Sequence, residues 1–97
     1  MVIVLITISL FGTIASDFDR KQLELPLSEE SNTLKDILLI LKSDNERQFY
    51  SYFDEDLSPK RGTLILINGV DFNTLDGLNT KLNSSDQISL IPTISGG

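Results

Sequence analysis

The sequence contains no cysteine and no histidine. The first absence excludes a disulfide framework, a thiolate metal site and a catalytic thiol. The second removes the side chain that most often serves as a general base near neutral pH. The composition therefore favours a protein that is not an enzyme, and no metal and no cofactor are expected.

Basic residues are scarce, because 8 lysines and arginines face 14 acidic residues and leave a net charge of −6. An acidic surface matches nucleic-acid phosphates poorly, so a direct nucleic-acid partner is not expected. The 97 residues, 40% of them hydrophobic, suffice for one domain with one modest core.

The apolar start, residues 1–15, resembles a signal peptide in composition but has no basic residue before Arg20. It is also too short to span a membrane as a helix. Its apolar residues fall on one face at a period of two, as in a core strand; they are Val2, Val4, Ile6, Ile8 and Leu10. We therefore predict a strand over 2–10 and expect a cytoplasmic protein with no membrane partner.

A second strand is predicted over 22–27, where Leu23, Leu25 and Leu27 share one face. Pro26 cannot donate a ladder hydrogen bond and favours a place at the sheet edge. We expect the first two strands to form a hairpin whose loop contains a turn around Gly12 and a polar stretch over 16–21.

One long helix is predicted to begin after Thr33, because Thr33 and Asp36 have the spacing of a capping box. Its apolar stripe at i, i+3, i+4 and i+7 consists of Leu34, Ile37, Leu38 and Leu41. Lys42 suits the negative end of the helix dipole.

The segment 43–62 is charged and irregular, and it contains four aromatic residues: Phe49, Tyr50, Tyr52 and Phe53. Exposed aromatics would indicate a binding patch. The spacing of Phe49 and Phe53 instead favours a short helical turn that folds both rings onto the sheet. The acidic run 54–56 is interpreted as a solvated loop, and the role of the whole segment stays open.

Further strands are predicted over 63–67, which is apolar throughout and expected to be covered on both faces, and over 70–72. Asn68-Gly69 between them is a strong hairpin signal. Leu75, Leu78 and Leu82 are expected to pin a loop to the core, and 83–86 is predicted to form a turn.

The last eleven residues, 87–97, begin as a strand in which Ile88 and Leu90 alternate with polar residues. Pro92 lacks the donor for a ladder hydrogen bond, so strand pairing is expected to weaken there. Gly96-Gly97 removes two β-carbons and suits a tail that threads a narrow channel and presents its carboxylate. The alternative is a frayed terminus with incidental glycines.

These elements predict an α+β fold with a mixed sheet of four to five strands and one main helix packed on one face. The domain is expected to span 1–94, followed by a flexible tail over 95–97. The chain resembles the β-grasp fold of ubiquitin, and most of all the MoaD/ThiS branch with the ubiquitin-related modifiers and small archaeal modifier proteins. The resemblance is carried by the strand 2–10, the helix start 33–38, the segment 66–70 and the end 86–97. Relatives commonly carry Asp-Gly-Asp before the last strand, where this chain has Ser84-Ser85-Asp86.

The resemblance implies chemistry at Gly97, whose carboxylate an ATP-dependent activating enzyme adenylates. A thiocarboxylate sulfur donor, for example for tRNA thiolation, or an isopeptide bond to a target-protein lysine would follow. It also implies that the activating enzyme recognises Gly96, Ser95 and Ile94, and that the modifier is a monomer. Two alternatives stay open: the small subunit of molybdopterin synthase, which gives its sulfur to a pterin, and a β-grasp interaction domain that is never activated.

Overall fold

A mixed five-stranded sheet forms the framework of the computed structural model, which describes residues 2–93. The strands are β1 (Ile3–Leu10), β2 (Gln22–Ser28), β3 (Thr63–Ile67), β4 (Val70–Asp71) and β5 (Gln87–Pro92), in the spatial order β2-β1-β5-β3-β4. β1 and β5 run parallel, and the other neighbouring strands run antiparallel. The helices are α1 (Gly12–Phe18), α2 (Leu34–Asp44) and α3 (Glu46–Phe49). The predicted α+β, β-grasp class is confirmed, while the predicted boundary between residues 94 and 95 lies outside the described residues.

α2 is the predicted main helix, and its capping box is present. The Asp36 carboxylate accepts the Thr33 backbone N–H at 3.0 Å, while the Thr33 hydroxyl oxygen accepts the Asp36 N–H at 3.3 Å. All four residues of the predicted stripe are buried. They pack on the sheet face formed by the alternate residues Ile6, Ile8, Leu10, Leu25, Leu27, Ile65, Ile67, Ile88 and Leu90.

The connection between β1 and β2 corrects the predicted turn and polar stretch, because it contains α1. Ile14 and Phe18, one turn apart, are both buried in the core. Asp19 ends the helix in the left-handed conformation, with φ of 56°. Tertiary anchoring of two side chains stabilises a helix too short to be stable alone. The predicted pairing of β1 with an edge strand β2 that contains Pro26 is confirmed.

In segment 43–62, Phe49 and Phe53 fold into the core through a short helical turn, as predicted, and do not form an exposed binding patch. α3 buries Phe49, and the following turn buries Phe53. The two rings stack with centroids 4.5 Å apart and planes 12° apart. Asp54, Glu55 and Asp56 are exposed, as expected of a solvated loop.

The second half of the chain requires three corrections. The hairpin at Asn68-Gly69 is confirmed, but its return strand ends at Asp71 and Phe72 begins a short 3₁₀ turn. The reason is that the Asp71 side chain accepts the Asn73 N–H at 2.8 Å and starts a turn. β3 is not covered on both faces, because Leu64 and Leu66 are only half-buried on the face opposite α2.

The third correction concerns the loop after β4. Leu82 is buried and Leu78 packs against the core, as expected, whereas Leu75 is exposed. The predicted turn over 83–86 is confirmed by Asp86, whose N–H donates to the Asn83 carbonyl and whose carboxylate accepts the Asn83 N–H.

Candidate functional site

The candidate site is the point where the chain leaves the sheet after β5. The predicted reactive residue Gly97 and the predicted recognition residues Gly96, Ser95 and Ile94 all lie outside the described residues. The structure therefore tests none of these roles. It does show how Pro92 and Thr93, the last described residues before the four-residue tail, are held in the domain.

β5 is a rigid base for that tail. It lies between β1 and β3, and its core residues Ile88 and Leu90 are buried beneath α2. A strand with neighbours on both sides can shift only by breaking two ladders of backbone hydrogen bonds. The start of the tail is therefore fixed by a strand that is paired on both sides.

Pro92 does not weaken strand pairing, contrary to the sequence-based prediction. β5 still pairs with β3 at Thr63 and Pro92, and the next N–H, that of Thr93, donates to the Gly62 carbonyl at 2.7 Å. Successive residues of β5 bond to opposite sides, so those in phase with Thr93 bond to β3. Pro92 is in phase with Leu90, which accepts from Phe11 on the β1 side. The donor that proline lacks would thus point towards the end of β1, where the chain already turns away.

Two glycines flank this exit, and neither was predicted to belong to the site. We define the tail exit as Gly12, Gly62, Pro92 and Thr93. Gly12 has φ of +55°, and a β-carbon there would lie 2.8 Å from Cγ of Pro92. Gly62 has φ of +93°, and a β-carbon there would lie 3.8 Å from the Thr93 carbonyl oxygen. Both positions therefore require a left-handed backbone, and Gly12 also requires close approach to the proline ring.

The only sequence signal for these two positions was the residue type itself. Gly12 ends an apolar strand and Gly62 precedes one, which indicates turns but not their partners. Their contact with Pro92 and Thr93 joins residues that are 80 and 31 positions apart in the sequence. No local pattern could have shown it.

Hydrogen bonds within segment 43–62, and from this segment to α1, hold the residues next to the tail exit. The Lys60 N–H donates to the Tyr52 carbonyl at 2.8 Å, and Lys60 Nζ donates to the Tyr50 carbonyl at 2.6 Å. The Tyr52 hydroxyl donates to the Asp17 carboxylate on α1. Burial raises the pKa of Tyr52, and the hydrogen bond to Asp17 raises it further. These contacts thus tie the turn that contains Gly62, just before β3, to the helix that begins with Gly12.

The surface around the exit is mixed in character. A groove between the end of β1, α1 and the start of β2 is lined by Ser9, Leu10, Phe11, Gly12, Ala15, Ser16, Asp19, Arg20 and Lys21. Two exposed basic residues, Lys60 and Arg61, immediately precede Gly62. On the open face of the sheet, the half-buried Ile91 of the last strand pairs with Leu64. Apolar and basic groups therefore lie next to the attachment point of the tail.

Two absences within the described residues concern metal binding and membrane crossing. Over residues 2–93, no cluster of three or more histidine, cysteine, aspartate or glutamate residues could hold a metal ion. Over the same range, none of the helices is both long and apolar enough to cross a membrane.

Comparisons with known protein sequences agree with the fold described above. A family model described as Urm1 (Ubiquitin related modifier) matches residues 5–97. The chain is 29% identical over 94 residues to the ubiquitin-related modifier 1 homolog of Dictyostelium discoideum, covering 95% of this chain and 98% of that protein. It is 37% identical over 65 residues to a putative sulfur carrier protein of Archaeoglobus fulgidus, covering 67% of this chain and 60% of that protein.

Among solved structures, the fold is similar to the solution structure of small archaeal modifier protein 1 from Methanosarcina acetivorans. The TM-score is 0.79 at 29% identity, and the alignment covers 100% of both chains.

Proposed function

This chain belongs to the Urm1 family of ubiquitin-related modifiers, and on that premise we propose that the Gly97 carboxylate is its reactive group. The chain is a ubiquitin-like modifier and sulfur carrier. In the proposed role it is the substrate of an ATP-dependent activating enzyme and performs no catalysis itself. The partner supplies the catalytic groups, which accounts for a sequence with neither histidine nor cysteine.

The proposed chemistry begins with the carboxylate. A free α-carboxyl group has a pKa near ~3.5 and is ionised at neutral pH, so its oxygen can attack the α-phosphate of ATP and expel pyrophosphate. The resulting acyl adenylate has lost the negative charge that protected the carbonyl carbon. Hydrosulfide delivered by the partner then attacks the carbonyl carbon, displaces AMP, loses its proton and leaves a thiocarboxylate. Alternatively, a lysine amine of a target protein displaces AMP, loses a proton and forms an isopeptide bond.

The observation that carries the proposal is the construction of the tail exit. Pro92 and Thr93 are held by Gly12 and Gly62, so the chain leaves the domain at a fixed place. Four residues follow Thr93, and fully extended they reach at most ~14 Å. The nucleotide of the activating enzyme must therefore bind within that distance of the exit. Ile94, Ser95 and Gly96 would line the channel through which the carboxylate reaches it.

The family match favours a modifier that conjugates to lysines or donates sulfur for tRNA thiolation over the small subunit of molybdopterin synthase. A β-grasp interaction domain that is never activated does not account for the two glycines that shape the exit. We place the reaction in the cytoplasm, with the modifier acting as a monomer on the activating enzyme and then on a target lysine or a sulfur-accepting enzyme.

The decisive experiment removes the tail end and measures activation and stability separately. Deletion of Gly96-Gly97 is expected to abolish ATP–pyrophosphate exchange with the cognate activating enzyme, since the carboxylate would be two residues short and would sit on Ser95. The melting temperature is expected to be unchanged, because the deleted residues follow the last strand. Wild-type exchange by the deleted chain would overturn the proposal.

Two further variants test separately the position of the carboxylate and the bulk of the residue that carries it. One extra residue after Gly97 keeps a carboxylate but moves it by up to ~3.6 Å. Gly97→Val keeps its position but adds bulk beside the reacting carbonyl. A misplacement of about 1 Å can cost on the order of a hundredfold in rate, so both variants are expected to lose at least that much exchange. Mass spectrometry of the intact chain from its host is expected to show sulfur in place of one oxygen, or a Gly97–lysine branch.

A further inference from the structure

The start of β1 has an unusual surface. Val2, Ile3 and Leu5 are 56%, 60% and 52% exposed, the three highest values among the exposed large hydrophobic side chains of the described residues. Leu5 lies beside Pro26 of β2, which is exposed as well. Ile3, Leu5 and Pro26 lie on the sheet face opposite α2, and we call these three residues the distal patch. Single exposed apolar residues are ordinary, but a contiguous group on a sheet indicates a contact surface.

The backbone beneath this patch is also unpaired on one side. Leu10 N–H donates to the Lys21 carbonyl, so the even-numbered residues of β1 bond to β2 and the odd-numbered residues point the other way. On that other side β5 pairs only with Thr7 to Leu10. Within residues 2–93, the N–H and carbonyl groups of Ile3 and Leu5 have no hydrogen-bond partner on the β5 side. The strand edge carries no lysine and no bulge that would block an added strand.

The rim of the patch is acidic. Glu24 is exposed on β2, two residues from Pro26, and Glu29 and Glu30 are exposed just after β2 ends. Val2, Ser28, Glu29 and Glu30 line a small hollow at the tip of the β1–β2 ribbon. A second copy of this chain would bring the same carboxylates together and be repelled. A basic partner would be attracted.

We propose that the distal patch binds an extended, basic and apolar segment of another protein, which adds as a strand along the free edge of β1. Its backbone pairs with Ile3 and Leu5, its apolar side chains cover the patch, and its lysine or arginine side chains lie against the glutamates of the rim. This is recognition by strand addition, in which backbone bonds supply affinity and alternate side chains supply specificity.

The distal patch lies far enough from the tail exit for both to be occupied at the same time. Leu10 lies seven positions along β1 from Ile3, which is about 23 Å at the rise of a strand. The tail exit lies at the Leu10 end, where Gly12 meets Pro92. A partner on the distal patch therefore leaves the tail free, so the chain can be recognised while its tail is being activated or is already attached to a target.

The test uses the whole chain and a synthetic peptide of about eight residues, the length of a strand, in which valine alternates with lysine. Nuclear magnetic resonance titration is expected to shift signals of residues 2–7 and 24–30. Hydrogen exchange at the N–H groups of Ile3 and Leu5 is expected to slow by at least about tenfold. The N–H groups of Val4 and Ile6 are already bonded to β2 and serve as internal references. Because no activating enzyme is present, failure here would leave the proposed role of Gly97 untouched.

Matched variants separate this site from general attraction to an acidic protein. Leu5→Gln is expected to weaken peptide binding at least about tenfold, whereas Leu75→Gln, at a similarly exposed leucine, is expected to change it less than about twofold. Glu29→Gln with Glu30→Gln is expected to weaken binding more than Asp54→Asn with Glu55→Gln. The same peptide with glutamate in place of lysine is expected not to bind.

Three results would overturn the proposal. The first is equal binding by the Leu5 and Leu75 variants. The second is unchanged exchange at Ile3 and Leu5 when the peptide is bound. The third is a concentration-dependent dimer in sedimentation that Leu5→Gln abolishes, since the patch would then serve a second copy of this chain.

Discussion

β1 begins and ends in two different environments. Towards its end, Thr7 and Ser9 lie between β2 and β5 on the face opposite α2 and are half-buried. At its start, Ile3 and Leu5 pair only with β2 and stay largely exposed. All four of these odd-numbered residues lie on the same face, so the difference in exposure comes from the neighbouring strand: β5 is six residues long and pairs with only the second half of β1. The tail exit is rigid where strands surround it, whereas the distal patch is available where they do not.

The largest expected difference is in the free energy of unfolding, between a core leucine near the exit and a leucine of the distal patch. Leu90→Ala, at a buried residue of β5 near the exit, is expected to lower the free energy of unfolding by about 2–5 kcal/mol through lost burial and a residual cavity. Leu5→Ala, at the distal patch, is expected to cost under about 1 kcal/mol because the side chain is already half in water. Urea unfolding of the two variants measures both. Equal costs would mean that Leu5 is buried by something other than the described residues.

A loss of stability of intermediate size is expected from substitution of Gly12 at the tail exit. Gly77, which lies outside the exit, provides the control. Both have a left-handed backbone, with φ of +55° at Gly12 and +59° at Gly77, but only Gly12 has an atom, Pro92 Cγ, in the way of a β-carbon. Gly77→Ala is expected to cost about 1–2 kcal/mol from backbone strain alone. Gly12→Ala is expected to cost about 1 kcal/mol more and to slow adenylation of the tail, since Pro92 must move.

Urea unfolding and pyrophosphate exchange check this pair of variants. If Gly12→Ala and Gly77→Ala lose equal stability and are activated equally well, the contact with Pro92 does not set the direction of the tail.

The smallest effect is expected at the contact between Tyr52 and Asp17. Tyr52→Phe removes a hydrogen bond at the surface and is expected to cost on the order of 0.5 kcal/mol. Burial and the Asp17 carboxylate raise the pKa of Tyr52 above its ordinary value of 10.0 in the folded state. The folded state therefore holds the phenol proton more tightly. This contribution is complete below pH 10.0 and is lost as the pH rises through the folded-state pKa.

Unfolding measured from neutral pH to above pH 10.0 tests that linkage. The stability difference between wild type and Tyr52→Phe should shrink at the alkaline end. A difference that is constant over the whole range would show that the hydroxyl makes no proton-linked contribution.

The sequence alone determined the elements whose signals are local. The stripe and capping box of α2 lie within the nine consecutive residues 33–41, and Asn68-Gly69 specifies its turn through two left-handed backbones. The alternation of β1 and β5 and the proline that marks β2 as an edge strand are equally local. Together these features were enough for the fold class and for the family resemblance of the chain end.

The tertiary structure decided what depends on residues far apart in the chain. α1 forms because the core accepts Ile14 and Phe18, while its seven residues carry too weak a pattern to predict. Pro92 is tolerated because its missing donor faces the end of β1, and Gly12 is required because the proline ring packs against it. Ile3 and Leu5 share the face opposite α2 with the half-buried Thr7 and Ser9, but they stay exposed because β5 is too short to reach them. Periodicity fixes the face on which a side chain lies, whereas only the assembled sheet fixes whether that face and its strand edge are covered.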